Sequence, residues 1–119
     1  MIVETKTRAV MMAVLLMTLP PLVKGEQQAF NPDSIEQIEA RYSGEPFLLV
    51  IWEINCVPCR EELSLLGDLI QTHPDMNLSL IATDDIRYKS EIIRILETNQ
   101  LAGVDSWIFA DPNVERLRY

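Results

Sequence analysis

At 119 residues with 48% apolar side chains, the chain holds one domain at most, with enough apolar mass for a packed core. Its formal charge is −8, and without residues 1–25 the balance is 17 acidic to 7 basic, or −10. Such a surface repels phosphate backbones and excludes nucleic acid as an expected partner.

Residues 1–8 carry Lys6 and Arg8, diluted by Glu4, and Ala9 to Val23 is an uncharged run of 15 residues. A basic start before an apolar run of this length reads as a secretory signal peptide. It is short for a membrane span of about 20 residues, so an uncleaved anchor with membrane contact through residues 9–23 is the alternative. Residues 1–25 are accordingly set apart from a body at 26–119, and both readings put that body outside the cytoplasm, as a periplasmic or other extracytoplasmic domain. Phe30 to Ser43 reads as a helix, with Asp33 and Glu36 spaced as a capping box and Gly44 as its stop.

Pro46 to Ile54 is a near-continuous apolar run, FLLVIW, that suits a central strand covered on both faces. A helix from Val57 to Thr72 follows. Leu63, Leu66 and Ile70 share its inner face, Leu65 and Leu69 widen it, and Glu61 and Glu62 are placed in its first turn. Asn77 to Thr83 is a second strand, closed by Asp84-Asp85. Ile86 to Asn99 is a third helix, with Ile92, Ile93, Leu96 and Tyr88 facing inward. Ser106 to Ala110 is a short third strand, with Trp107 and Phe109 in the core, and Pro112 opens a further helix. Three strands alternating with helices predict an α/β fold with a mainly parallel sheet.

Both cysteines stand where the apolar strand meets its helix, as Cys56-Val57-Pro58-Cys59. Two cysteines are too few for a disulfide scaffold. A zinc site within the chain would need carboxylate or partner ligands, because the single histidine, His73, lies well beyond Cys59. Redox chemistry fits the pair better. A thiolate, not a thiol, attacks a disulfide, and Cys56 is expected at the helix cap, where free N–H groups and the dipole favour negative charge. Cys59 comes one turn later, and a two-residue gap across a helix start brings both sulfurs within bonding range. Pro58 fixes the first turn, and Arg60 adds positive potential or is simply solvated.

Gly44-Glu45-Pro46, the apolar strand with Trp52, and Cys56-Val57-Pro58-Cys59-Arg60-Glu61-Glu62-Leu63 together resemble the active-site region of thioredoxin-like proteins of the TlpA/ResA type. Weaker similarity runs over about residues 30–119. The resemblance implies a thioredoxin-like layered fold and an extracytoplasmic thiol–disulfide oxidoreductase, such as a reductant in cytochrome c maturation or related assembly. It makes Cys56 the nucleophile and Cys59 the resolving thiol. It also implies protein thiol or disulfide substrates, an electron-donor protein, and no cofactor beyond the redox-active disulfide.

Three departures set the remaining candidates. Asn55 stands where the family usually has an aromatic residue, which alters the surface beside the sulfur. Glu53 stands where a small apolar residue is usual; it is either a carboxylate leaning into solvent or, if buried, a charge that opposes thiolate formation or a proton acceptor for Cys59. The family's cis-proline loop has no counterpart, because after Arg60 the prolines are Pro74 and Pro112, so the fold reads as C-terminally incomplete. A non-catalytic module or inactive remnant with a structural disulfide is the competing reading.

Overall fold

The computed structural model describes residues 27–110. The signal or anchor segment expected at 1–25 and the helix expected from Pro112 both lie outside these residues. The fold is α/β, as the alternation of strands and helices predicts. Four parallel strands, β1 (Gln28–Phe30), β2 (Leu48–Trp52), β3 (Leu78–Ala82) and β4 (Asp105–Phe109), form one sheet in the order β1-β4-β3-β2. Three helices connect them: α1 (Ser34–Arg41), α2 (Val57–Thr72) and α3 (Lys89–Thr98).

The strand order explains why the helices lie on both faces. The chain crosses the whole sheet from β1 to β2 through α1, then steps back through β3 to β4 by way of α2 and α3. Crossovers of one hand that run in opposite directions place their helices on opposite faces. Two cores result. Leu78, Leu80 and Ala82 of β3 pack with Leu63 of α2 and Ile92, Ile95 and Leu96 of α3. On the other face Ile81, Trp107 and Phe109 pack with Ile38 of α1 and Phe30 of β1. The period of two along β3 and β4 thus feeds both layers, which is why β3 is buried throughout. Among the described residues no helix is long and apolar enough to cross a membrane.

Several local expectations change. Residues 28–30 form a strand, and Phe30 belongs to it rather than to the helix expected from that residue, because Gln28, Ala29 and Phe30 pair with Trp107, Ile108 and Phe109. Asp33 is the N-cap of α1 but its side chain caps nothing; Ser34 Oγ instead accepts the Asn31 N–H. α2 starts at Val57, so Glu61 and Glu62 fall beyond its first turn, which holds no acidic residue. Leu65 and Leu69 are exposed rather than widening the inner face. The third helix is split, with a 3-10 turn at Ile86–Tyr88 before α3, and Tyr88 is exposed.

The strand that leads to the cysteines is not central. β2 pairs with β3 alone and forms an edge of the sheet among the described residues. Val50 and Trp52 point into the α2–α3 core and Leu49 toward α1, but Leu48 is 44% and Ile51 51% exposed. Ile51 is not among the residues packed against the cluster that Ile38 of α1 joins on that face, whereas Phe47 and Leu49 are.

Candidate redox site at the end of β2

Parallel strands bring their C-terminal ends to one edge, the usual place for a site in an open α/β sheet. Here the end of β2 and the end of β3 meet at the start of α2. β2 finishes at Trp52, whose side chain is buried and whose indole N–H has no partner among the described residues. The chain then turns over Glu53, Ile54 and Asn55, closed by the Cys56 N–H donating to the Glu53 carbonyl at 3.2 Å.

Cys56 is the N-cap of α2, in extended conformation, with its carbonyl accepting from the Arg60 N–H at 3.1 Å. Its sulfur accepts the Cys59 N–H at 3.3 Å, so Sγ occupies the position that a capping oxygen takes at other helices. Pro58, in the first turn, donates no N–H, and the Cys59 amide, one of those a helix start leaves without an intrahelical partner, serves the sulfur.

Cys56 and Cys59 are joined as a disulfide, with their Cα atoms 5.2 Å apart. Both cysteines are half-buried. Cys59 borders the core cluster that contains Trp52 and Leu63, whereas Cys56 is not among the residues packed against it. The first sulfur thus belongs to the surface side of the site and the second to the core side.

The other candidates divide. Glu53 is exposed, in keeping with a carboxylate leaning into solvent. Arg60 is exposed and reaches back to the Ile54 carbonyl at 3.5 Å, across the turn. Trp52 contributes packing beneath the cysteines. His73 ends α2, with its Nδ1 against the Thr72 hydroxyl. No three His, Cys, Asp or Glu side chains gather as a metal cage among the described residues.

Asp84 joins the site without a sequence motif to announce it. Its Oδ2 accepts the Ile54 N–H at 3.0 Å. Burial is the main cause that raises its carboxyl above the ordinary range; the Ile54 bond works against this and the Glu53 charge adds to it. The signal was present as an acidic pair at a strand end, but only the β2–β3 register places it beside the cysteine turn. Asp85 does local work, capping the 3-10 turn through the Arg87 N–H at 2.9 Å.

A hollow of about 450 Å³ lies at the opposite end of the sheet, lined by Arg41, Tyr42, Ile70, Met76 and Asp105 among others, and takes no part in the cysteine site.

No family model, curated protein or solved structure matches the chain.

Proposed function

We propose that the protein is an extracytoplasmic thiol–disulfide oxidoreductase of the thioredoxin-like TlpA/ResA type, acting on protein substrates through Cys56 and Cys59. The observation that carries this reading is a Cys-x-x-Cys disulfide at the N-cap of a helix, where the first sulfur already accepts a backbone N–H. The same N–H stabilises a thiolate better than a thiol, because a bond to an ionised acceptor is stronger.

In the reducing direction the Cys56 thiolate attacks one sulfur of a substrate disulfide and displaces the other as a thiolate, which takes up a proton. Cys59 then loses its proton and attacks the Cys56 sulfur. This forms the Cys56–Cys59 disulfide and releases the second substrate thiol. Two electrons pass to the substrate, and an electron-donor protein bearing a dithiol returns the pair to its reduced form. No bound cofactor enters. The reductant role in cytochrome c maturation or related assembly is one setting for this exchange.

A purely structural disulfide is the weaker reading on stability grounds. A bridge that closes so short a loop removes only about 2 kcal/mol of chain entropy from the unfolded state. The test is redox equilibration of the full chain against glutathione with thiol trapping. A potential above about −300 mV, with Cys56 alkylating below the ordinary thiol pKa of about 8.5, is the expected result. A lower potential with Cys56 inert near neutral pH would establish the structural disulfide instead. Fractionation of cells that express the chain with its own N-terminus tests the extracytoplasmic placement.

A further inference from the structure

The turn that presents Cys56 is held by a side chain from the neighbouring strand. β2 and β3 run in register, with Trp52 opposite Ala82. The last backbone rung is the Thr83 N–H donating to the Trp52 carbonyl at 3.0 Å. In a parallel ladder the Ile54 N–H would form the next rung with a β3 carbonyl. It donates to Asp84 Oδ2 instead, at 3.0 Å.

Such an arrangement has two consequences for the sulfur. The first is mechanical: Ile54, two residues before Cys56, is fixed by its N–H to Asp84 and by its side chain to the core cluster. The second is electrostatic. Two residues of chain span at most about 7 Å, so a carboxylate on the Ile54 N–H lies within about one Debye length of the Cys56 turn. The charged groups around it do not neutralise it. Glu53 on the turn and Glu91 on α3 add like charge, Asp85 is taken up with Arg87, and Arg60 of α2 reaches the Ile54 carbonyl. None of the ion pairs among the described residues includes Asp84.

We propose that Asp84 is a positioning residue for the Cys56–Cys59 pair: its carboxylate fixes the turn that presents Cys56 and opposes ionisation of that sulfur. The proposal rests on the redox reading above. A like charge behind the thiol holds back the thiolate, disfavours the reduced form near neutral pH, and makes the pair a better reductant. Replacement by asparagine separates the two effects, because the amide oxygen still accepts the Ile54 N–H while the charge is gone. Replacement by alanine removes both.

The experiment compares the full-length wild type with Asp84→Asn and Asp84→Ala. Three quantities are read: Cys56 alkylation from pH 5 to 9, the equilibrium with glutathione at pH 7, and hydrogen exchange of the Ile54 amide. Asp84→Asn is expected to move the alkylation profile to lower pH and shift the equilibrium about threefold to tenfold toward the dithiol. The Ile54 amide should stay protected in that variant. Asp84→Ala should show the same redox shift and lose the protection. A wild-type pair that exchanges with glutathione, together with an Asp84→Asn variant of unchanged profile and equilibrium, would overturn this proposal and leave the redox reading standing. A wild-type pair that does not exchange at all would overturn both. If Asp84→Ala does not fold, the asparagine variant and the wild-type Ile54 amide still decide; an unprotected wild-type amide would refute the clamp.

Discussion

Gly67 of α2 lies directly against the backbone carbonyl of Asn99 at the end of α3, so close that a Cβ at position 67 would overlap the oxygen. The two helices on the cysteine side of the sheet therefore meet through a backbone contact. A carbonyl fixed at a helix terminus cannot swing away as a side chain does. Gly67→Ala should gain about 1 kcal/mol of helix propensity and lose more to overpacking, which costs typically about 1–3 kcal/mol. A lower denaturation midpoint is expected in urea. A raised midpoint would show that α2 and α3 do not approach this closely.

A polar knot at the far end of the sheet tells a comparable story for β4. Asp105 accepts from Arg41, from Gln28 Nε2 at 3.0 Å, from Ser79 Oγ and from Trp107 Nε1 at 2.9 Å. Ser79 Oγ is also 2.8 Å from the Tyr42 hydroxyl, and the Arg41 guanidinium lies 5.5 Å from the centre of the Trp107 ring. One carboxylate thus ties α1, β1, β3 and β4 together. Asp105→Ala leaves buried donors without an acceptor and should cost about 2–4 kcal/mol. Asp105→Asn keeps one acceptor oxygen and should cost less. Equal losses in the two variants, read from their denaturation midpoints, would contradict this account.

How much of this was readable from residues alone depended on whether the cause was local. α2 runs from Val57 to Thr72 as its periodicity predicts, because the cysteine cap, Pro58 and the His73-Pro74 stop all act within a turn of the helix ends. The disulfide followed in the same way from spacing across a cap. The strand state of Gln28–Phe30 was not readable, since three residues with one aromatic carry no periodic signal and are held by β4 from far along the chain. Continuous apolar character in β2 suggested cover on both faces. Composition shows what a strand could bury, whereas its neighbours are decided by the topology of the sheet. The contact between Asp84 and Ile54 likewise needs the register of two strands before either residue has a meaning.

The two cysteines should separate cleanly by substitution. Cys56→Ser removes the sulfur at the surface side and should abolish reaction with a small aromatic disulfide. Cys59→Ser removes the resolving thiol, so the Cys56 adduct should form and persist as a mixed disulfide visible by mass spectrometry. Fast reaction by Cys56→Ser with none by Cys59→Ser would reverse the roles proposed for them. Neither change should cost more than about 2 kcal/mol of stability, the share expected from so short a cross-link.

Stability should carry a signature of Asp84 as pH changes. Its folded pKa lies above the ordinary value of 3.8, chiefly because of burial. The folded state therefore holds this proton more tightly than the unfolded state does. The favourable contribution is full below pH 3.8 and is lost as pH rises through the folded pKa. Asp84→Asn does not titrate, so its stability relative to the wild type should improve as pH is raised from about 4 to 7. Asp85 works in the opposite direction: the Arg87 N–H and side chain lower its pKa, and that support fades in acid. Urea midpoints of both proteins across this range provide the check, and a constant difference would refute the assignment to Asp84.

The edge of β2, unpaired among the described residues, yields the last prediction. Leu48 and Ile51 are exposed on a strand that has no charged residue between them, and neither Pro nor Lys interrupts it. Edge strands are ordinarily protected by such residues, because an unpaired apolar edge invites pairing with another chain. Ile51 lies opposite Ile81 in the register, yet Ile81 is fully buried while half of Ile51 meets solvent, so the α1 side of the sheet is covered over β3 and open over β2. An Ile51→Lys change puts a charge on the open part without removing a core contact. It should change stability by less than about 1 kcal/mol and reduce light scattering at high protein concentration. Burial would reverse the outcome. If another part of the chain or a second copy covers this edge in solution, the lysine would bring a charge into an apolar contact and cost more than about 2 kcal/mol. Ile51→Val would then cost only about 0.5–1.5 kcal/mol, so the pair of variants distinguishes an open edge from an occupied one.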